Sequence, residues 1–95
     1  MSKYQQGTRL EYEARDILVG RGFIVIRSAG SKGPVDLVAI GSQEILLVQV
    51  SKLKVKSSRD LEDLRSMQAP PNVRRQLWER APFGSWTITD IERAP

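Results

Sequence analysis

Apolar residues near the N-terminus recur at the i, i+4, i+7 and i+8 spacing that forms one face of a helix. The positions concerned are Leu10, Ala14, Ile17 and Leu18. We expect the helix to begin near Thr8, because residues 8–11 have the form of a capping box, with threonine first and Glu11 three positions later. Gly20 and Gly22 follow the last apolar position and are typical of a helix end.

Three apolar runs that follow this helix predict the first three strands of a sheet. They cover residues 23–27, 35–40 and 44–51, and the segments between them are rich in glycine, serine and other turn-forming residues. The third run is nearly continuous, which is typical of a strand that is covered on both faces.

The second half of the chain is expected to add one helix and one or two strands. The helix begins at Ser57 or Ser58, runs to about Met67, and is followed by two prolines. Residues 73–81 fit both a loose strand alternation and a helical spacing, whereas residues 86–91 alternate as a strand. The predicted order is αβββαββ, an α+β domain in which helices flank a mixed sheet.

The length and the apolar pattern limit how the chain is organised. Its 95 residues suit a single domain covering positions 1–95. A domain of this size buries a modest share of its surface, so a homodimer would hide apolar area that one copy leaves exposed. No apolar run reaches the roughly 18 residues of a membrane span, and the N-terminus lacks the apolar stretch of a signal peptide. We therefore expect a cytoplasmic protein.

Composition narrows the available chemistry. The chain has neither cysteine nor histidine, which excludes disulfides, thiolate zinc sites, cysteine nucleophiles and histidine bases. A bound metal would have oxygen ligands, which favours Mg²⁺ or Mn²⁺. The net charge of +4 is typical of a protein that binds a polyanion such as nucleic acid, although it also suits any soluble domain.

Three polar residues in the predicted sheet are candidates for chemistry. Asp36 follows a glycine-proline turn at the start of the second strand. Gln49 is an uncharged amide inside the apolar third strand, where a side chain without partners would cost about 1–3 kcal/mol. Ser51 lies two residues further on and therefore on the same face as Gln49.

The segments Pro34-Val35-Asp36 and Gln49-Val50-Ser51 resemble the two half-motifs of PD-(D/E)XK nucleases. In that superfamily an acid opens the second strand of a hairpin, and an acid-x-lysine follows in the next strand. The acids bind Mg²⁺, and the lysine positions or activates the attacking water. The resemblance implies a restriction-endonuclease-like fold, with Ser51 standing where the lysine is expected.

The chain also resembles the archaeal-type Holliday junction resolvases over roughly residues 7–56. Those enzymes have a glutamate on the first helix in a G-x-x-x-E pattern, which Gly7 and Glu11 match. Their first strand ends in an arginine followed by a small-residue loop with a functional serine, and residues 27–31 have this form with Arg27 and Ser31.

The resemblance implies a metal-dependent endonuclease that hydrolyses phosphodiester bonds in branched DNA as a homodimer, in a prokaryotic or phage-infected cell. Its implied catalytic residues are Glu11, Asp36, Gln49, Ser51 and Lys52. Its implied metal ligands for Mg²⁺, or Mn²⁺ as a substitute, are Glu11, Asp36, Gln49 and the carbonyl of Val50. The DNA-contacting residues are expected to be Arg27, Ser28, Ser31, Lys32, Lys52, Lys54 and Lys56, with Ser31 at the scissile phosphate and the last three forming a basic stripe if the strand continues.

Each candidate also has a structural explanation. Glu11 completes the capping box, Asp36 suits a turn, and Gln49 suits a hydrogen bond at the edge of the sheet. The loop around Ser31 has the composition of an ordinary turn, and the lysine stripe suits a solvated strand edge. Both tryptophans are expected in the core or in a dimer contact rather than as stacking platforms for bases.

The serine at position 51 has three competing explanations. A β-bulge could re-aim Lys52 toward the site, although strand alternation otherwise points Lys52 away from Gln49. Lys32 could supply the cation instead. The site could also be impaired, which would leave a nuclease-fold module that binds DNA without cutting it. A nuclease of this fold that acts on other DNA, alone or with a partner protein, is a further alternative.

Overall fold

The computed structural model describes residues 3–28, 33–53 and 58–92. Its elements follow the order αβββαββ, which confirms the predicted α+β class. The helices and strands are α1 (Lys3–Gly20), β1 (Ile24–Arg27), β2 (Leu37–Ile40), β3 (Ile45–Lys52), α2 (Ser58–Ser66), β4 (Val73–Arg80) and β5 (Trp86–Ile91). Within the described ranges no helix is both long enough and apolar enough to span a membrane.

The five strands form one mixed sheet in the order β1-β2-β3-β4-β5. Neighbouring strands are antiparallel except β3 and β4, which are parallel because α2 forms the crossover between them. The segment 73–81, which fitted both a strand and a helix in the sequence, is strand β4. Its pairing on both sides decides this, since a helix there would leave β5 without a partner and β3 paired on one side only.

The expected start of the first helix is wrong by five residues. Helix α1 begins at Lys3, so Thr8 and Glu11 lie inside it and do not form a capping box. The physical reason is that lysine and glutamine favour helices, and nothing between Lys3 and Thr8 stops one. The capping explanation for Glu11 therefore falls away.

Helix α1 covers one face of the sheet, and its apolar side forms the main core. Residues that pair across strands share a face, as Leu37 and Val48 do. The core on this face consists of Ala14 and Leu18 from the helix with Leu37, Ala39, Leu46, Val48 and Trp78 from the sheet. Trp78 is fully buried and meets Trp86 edge to face at 5.7 Å between ring centroids, which confirms its predicted place in the core.

Helix α2 meets the opposite face of the sheet through Arg75 of β4. Arg75 alternates with Gln76 and so points away from α1. The buried Arg75 side chain donates from Nε to the carbonyl of Leu64 at 2.9 Å and from its guanidinium to the carbonyl of Met67. These carbonyls lie at the C-terminal end of α2, where a positive charge is favourable. Arg75 thus fixes α2 to the sheet.

Candidate active site

Asp36 lies at the end of the sheet where β2 begins, and three hydrogen bonds hold it there. Its backbone N–H donates to the carbonyl of Val48 at 2.9 Å, and its own carbonyl accepts from the N–H of Ser28 at 2.9 Å. Its carboxylate Oδ2 accepts from the N–H of Val50 at 2.8 Å. This carboxylate is therefore bound to strand β3 and presented at the hairpin end, which is more than a local turn role requires.

Gln49 lies between Val48, the last β3 residue paired with β2, and Val50, whose N–H binds the Asp36 carboxylate. It is only 5% exposed, and its side-chain Oε1 has no hydrogen-bond partner among the described residues. The predicted bond at a sheet edge is wrong, because β3 is the central strand and Gln49 pairs with Leu77 on β4. A buried amide oxygen without a partner, beside a fixed carboxylate, is an unusual arrangement that needs a ligand or a water to satisfy it.

Ser51 lies on the same face as Gln49, and its hydroxyl donates to the carbonyl of Lys52 at 3.0 Å. Strand β3 pairs with β4 residue for residue from Ile45 to Lys52. The β-bulge that was considered for this stretch is therefore absent, because an extra residue would have shifted the pairing. The exposed Lys52 side chain consequently belongs to the face opposite Gln49.

Glu11 and Arg27 form an ion pair on the α1 side of the sheet. The Arg27 Nη1 donates to Glu11 Oε1 at 2.9 Å, and both side chains are half-buried. The hydrogen bond with Glu11 raises the pKa of Arg27 above its usual value, and the nearby Tyr12 adds to this. Arg27 shares its face with Leu37, so its ion pair with Glu11 lies on the face opposite Gln49. The structure thus binds Asp36 to Val50 and Glu11 to Arg27.

Several predicted site residues cannot be placed. Ser31, Lys32, Lys54 and Lys56 lie outside the described residues, so the loop serine, the substitute cation and most of the lysine stripe stay predictions. Over the ranges 3–28, 33–53 and 58–92, no three Asp, Glu, His or Cys side chains are close enough to hold a metal ion. Gln49 is not of these types, so a site built on Asp36 and an amide oxygen remains a prediction.

The sequence did not predict a cation–π contact of two arginine side chains with the ring of Tyr12. The guanidinium carbons of Arg15 and Arg27 lie 4.7 Å and 4.9 Å from the centroid of this ring. The i, i+3 spacing of Tyr12 and Arg15 on α1 was a visible signal, whereas Arg27 is distant in sequence and only the fold brings it there. The cation–π contact helps to hold Arg27 at the C-terminal end of β1, which pairs with the start of β2.

Comparison with known proteins shows which family this chain belongs to. Residues 2–65 match the model of the family described as archaeal Holliday junction resolvase (Hjc). The crossover junction endodeoxyribonuclease Hjc of Methanocaldococcus jannaschii is 41% identical over 66 residues, which make up 68% of this chain and 49% of that protein. The structure of Hjc from Archaeoglobus fulgidus, a Holliday junction resolvase, aligns with a TM-score of 0.75 at 25% identity, over 95% of this chain and 79% of that one.

The five-stranded sheet with its two helices is therefore similar to the fold of a solved Holliday junction resolvase. The chain belongs to the archaeal Holliday junction resolvase family, which confirms the resemblance found in the sequence. It spans about half the length of the curated relative that it matches.

Proposed function

We propose that this chain is a metal-dependent endonuclease that hydrolyses phosphodiester bonds in four-way DNA junctions. The proposal is supported by the Asp36 carboxylate bound to the N–H of Val50 and by the buried Oε1 of the neighbouring Gln49, which lacks a partner among the described residues, in a chain of the resolvase family. The net charge of +4 supports a polyanionic substrate.

Mg²⁺, or Mn²⁺ in its place, fits the type of donor that this site offers. Asp36 and the buried Gln49 Oε1 would hold the ion, with the Val50 carbonyl as a further oxygen ligand. Glu11 would join them only on leaving its ion pair with Arg27, which belongs to the other face of the sheet. The fit is weaker than that of a two-acid site, because Gln49 contributes no negative charge. The chemistry that such an ion supplies is neutralisation of phosphate charge and activation of an attacking water.

The chain's own residues would bind and orient the DNA around that point. The N–H of Val50 fixes the Asp36 carboxylate, and Ser28 fixes the backbone of Asp36. Arg27, at the end of β1, would contact a phosphate of the DNA. This contact would release Glu11 from its ion pair with Arg27. Ser31 and Lys32 are proposed to contact the scissile strand, and Lys52, Lys54 and Lys56 the flanking backbone.

A synthetic four-way junction with Mg²⁺ tests the proposal. We expect symmetric paired nicks, with much slower cleavage of a linear duplex of the same sequence. Asp36→Asn should lower the rate on the order of 10²–10³-fold, the typical effect of removing one preorganised charged contact. The matched control is Asp63→Asn on the exposed side of α2, which should cut normally. Equal cleavage of the duplex, or an active Asp36→Asn variant, would refute the proposal.

A second candidate function is junction binding without cleavage, and two residues favour it. Gln49 and Ser51 replace the acid and the lysine on the same face of β3, so this strand carries no charge toward the site. Saturable junction binding with no nicks in Mg²⁺ or Mn²⁺ would support it. Gain of cleavage in Ser51→Lys, or in Gln49→Glu combined with Ser51→Lys, would show that only these two groups are missing.

We further propose that two copies associate through the uncovered part of the α2-side face. Ile24, Ile26 and Ile40 share one face of β1 and β2 and are 69%, 55% and 38% exposed. A patch of this kind typically marks an interaction surface, and a second active site would suit paired cuts. Ile26→Lys should convert a dimer into a monomer in sedimentation equilibrium, whereas Val19→Lys on α1 should not. A dimeric Ile26→Lys variant would contradict this interface.

A further inference from the structure

The turn between β4 and β5 presents an aromatic side chain that nothing in the described fold covers. Phe83 is 99% exposed. The turn is closed by bonds from the N–H of Ala81 to the carbonyl of Ser85 at 2.8 Å and from the N–H of Gly84 to the carbonyl of Ala81 at 3.0 Å. Gly84 has a φ of 93°, a conformation that other residues rarely adopt. The backbone is thus fixed, and little entropy is lost when Phe83 meets a ligand.

The turn lies at the same end of the sheet as the candidate site. Strand β3 runs parallel to β4, so Gln49 pairs with Leu77 and Lys52 with Arg80, directly before the turn. Asp36 is two strands away from β4, about 10 Å, and Arg80 is three residues beyond Leu77, about another 10 Å. Arg80 is therefore roughly 14 Å from Asp36, about four nucleotides along one strand at 3.4 Å each, and Phe83 lies beyond Arg80 in the turn. Phe83 can contact the same DNA without touching the reacting phosphate.

Two cationic side chains, Lys52 and Arg80, lie at the strand ends that precede the turn. Lys52 and Arg80 pair across the strands and so share one face, and the Arg80 guanidinium lies over Trp86 at 5.6 Å. A Cβ added to Gly84 would lie 3.5 Å from the Arg80 Nη2, so this guanidinium borders the turn itself. Arg80 also forms an ion pair with Glu13 of α1, which holds it in place. Cations for the backbone beside an exposed aromatic ring are the composition of surfaces that bind unpaired nucleotides.

We propose that Phe83 stacks on a base at the branch point of a DNA junction while Lys52 and Arg80 neutralise the adjoining phosphates. A linear duplex has no open base step to receive the ring, so this contact selects branched over linear DNA. The inference rests on the proposed function, and it adds a selectivity residue in a segment beyond residues 2–65, the part that matches the family. Phe83 acts in substrate selection and is not a catalytic residue.

The test compares binding of a labelled four-way junction and a linear duplex by fluorescence anisotropy, with EDTA present to prevent cleavage. Phe83→Ala should weaken junction binding by about 10-fold, the loss that follows removal of one aromatic–base stack, and leave duplex binding unchanged. Phe83→Trp should bind the junction as the parent does, and its fluorescence should be quenched by the junction alone. The control is Val19→Ala, an exposed apolar residue at the far end of α1, which should change neither affinity.

The outcomes separate this inference from the proposed function. A parent chain that prefers the junction, with a Phe83→Ala variant that keeps the full preference, would overturn the role of Phe83 alone. A parent chain without any preference for the junction would overturn the proposed substrate and this role with it. Loss of self-association in Phe83→Ala, measured by sedimentation, would assign the ring to a protein contact and also overturn the proposal. Because Phe83 is exposed, its variants should unfold at the parent's temperature.

Discussion

Two buried glutamines show how the two faces of the sheet differ. Gln76 on β4 faces α1, where its Oε1 accepts from Trp78 Nε1 at 3.0 Å and its Nε2 donates to Asp90 Oδ1 at 3.0 Å. Gln49 on β3 faces the α2 side, and its Oε1 has no partner among the described residues. The same residue type is a satisfied structural group on one face and an unsatisfied group beside Asp36 on the other.

The two faces also differ in how much of their apolar surface is buried. The α1 side buries a continuous apolar core around Trp78. On the other side the C-terminal end of α2 is bound by Arg75 of β4, and the isoleucines of β1 and β2 stay exposed. Departures from good packing and full hydrogen bonding are expected where a protein binds its partners. The comparison therefore assigns stability mainly to the α1 face and binding mainly to the α2 face and the strand ends.

The largest effect is expected from Trp78→Ala in the α1-side core. Removing a fully buried tryptophan leaves a cavity and should lower the free energy of unfolding by about 3–5 kcal/mol. Urea denaturation followed by circular dichroism measures it. Trp86→Ala is the control, because this half-buried ring should cost clearly less. If Trp86→Ala were the more damaging change, the core would not be centred where the structure has it.

A smaller loss is expected from Arg75→Ala on the α2 side. The change removes charged hydrogen bonds to the carbonyls of Leu64 and Met67, worth about 2–3 kcal/mol, and should loosen α2 first. Hydrogen exchange of the α2 amides together with urea denaturation detects both effects. The neighbouring Arg74→Ala is the control, since its exposed ion pairs with Glu44 and Asp90 are worth about 0–1 kcal/mol. Equal losses in the two variants would contradict the role of Arg75.

Changing each glutamine to leucine should shift the free energy of unfolding in opposite directions. Gln49→Leu removes an unsatisfied oxygen and should raise the free energy of unfolding by about 1 kcal/mol, while abolishing cleavage if Gln49 binds the metal. Gln76→Leu leaves Trp78 Nε1 without its acceptor and should lower stability by about 1–2 kcal/mol. Thermal unfolding of both variants measures the contrast. A destabilised Gln49→Leu variant would mean that this oxygen is satisfied in solution.

The smallest effect concerns acid stability on the α1 side. The hydrogen bond from Gln76, followed by that from Arg74, lowers the pKa of Asp90 below its usual value. A carboxyl whose pKa is lowered by folding stabilises the protein above its unfolded pKa of about 3.9 and loses this contribution as the pH falls through the folded value. Asp90→Asn should therefore flatten the decline of the unfolding temperature below about pH 4. The effect is small because Asp90 is largely exposed, and Asp63→Asn, which lacks the Gln76 contact, should leave the decline unchanged.

The sequence predicted most of the sheet because strand alternation and apolar runs are local properties. It also predicted that Asp36, Gln49 and Ser51 belong together, since a hairpin and a period of two residues suffice to bring them to one end. The predicted start of α1 was wrong. Residues 8–11 have the capping-box pattern, but the helix extends beyond them to Lys3. The sequence left β4 open, because Val73, Leu77 and Trp78 suit both periods and only pairing with β3 and β5 decides between them.

What the sequence determined by itself is the order of the elements, the resolvase resemblance and the missing charges at positions 49 and 51. What only the tertiary structure decided are contacts between residues distant in the chain. These include the ion pair of Arg27 with Glu11, the anchoring of α2 by Arg75, and the different surroundings of Gln49 and Gln76. The physical reason is that periodicity assigns a side chain to a face, whereas its hydrogen-bond partners depend on which helix packs there and how far that helix extends.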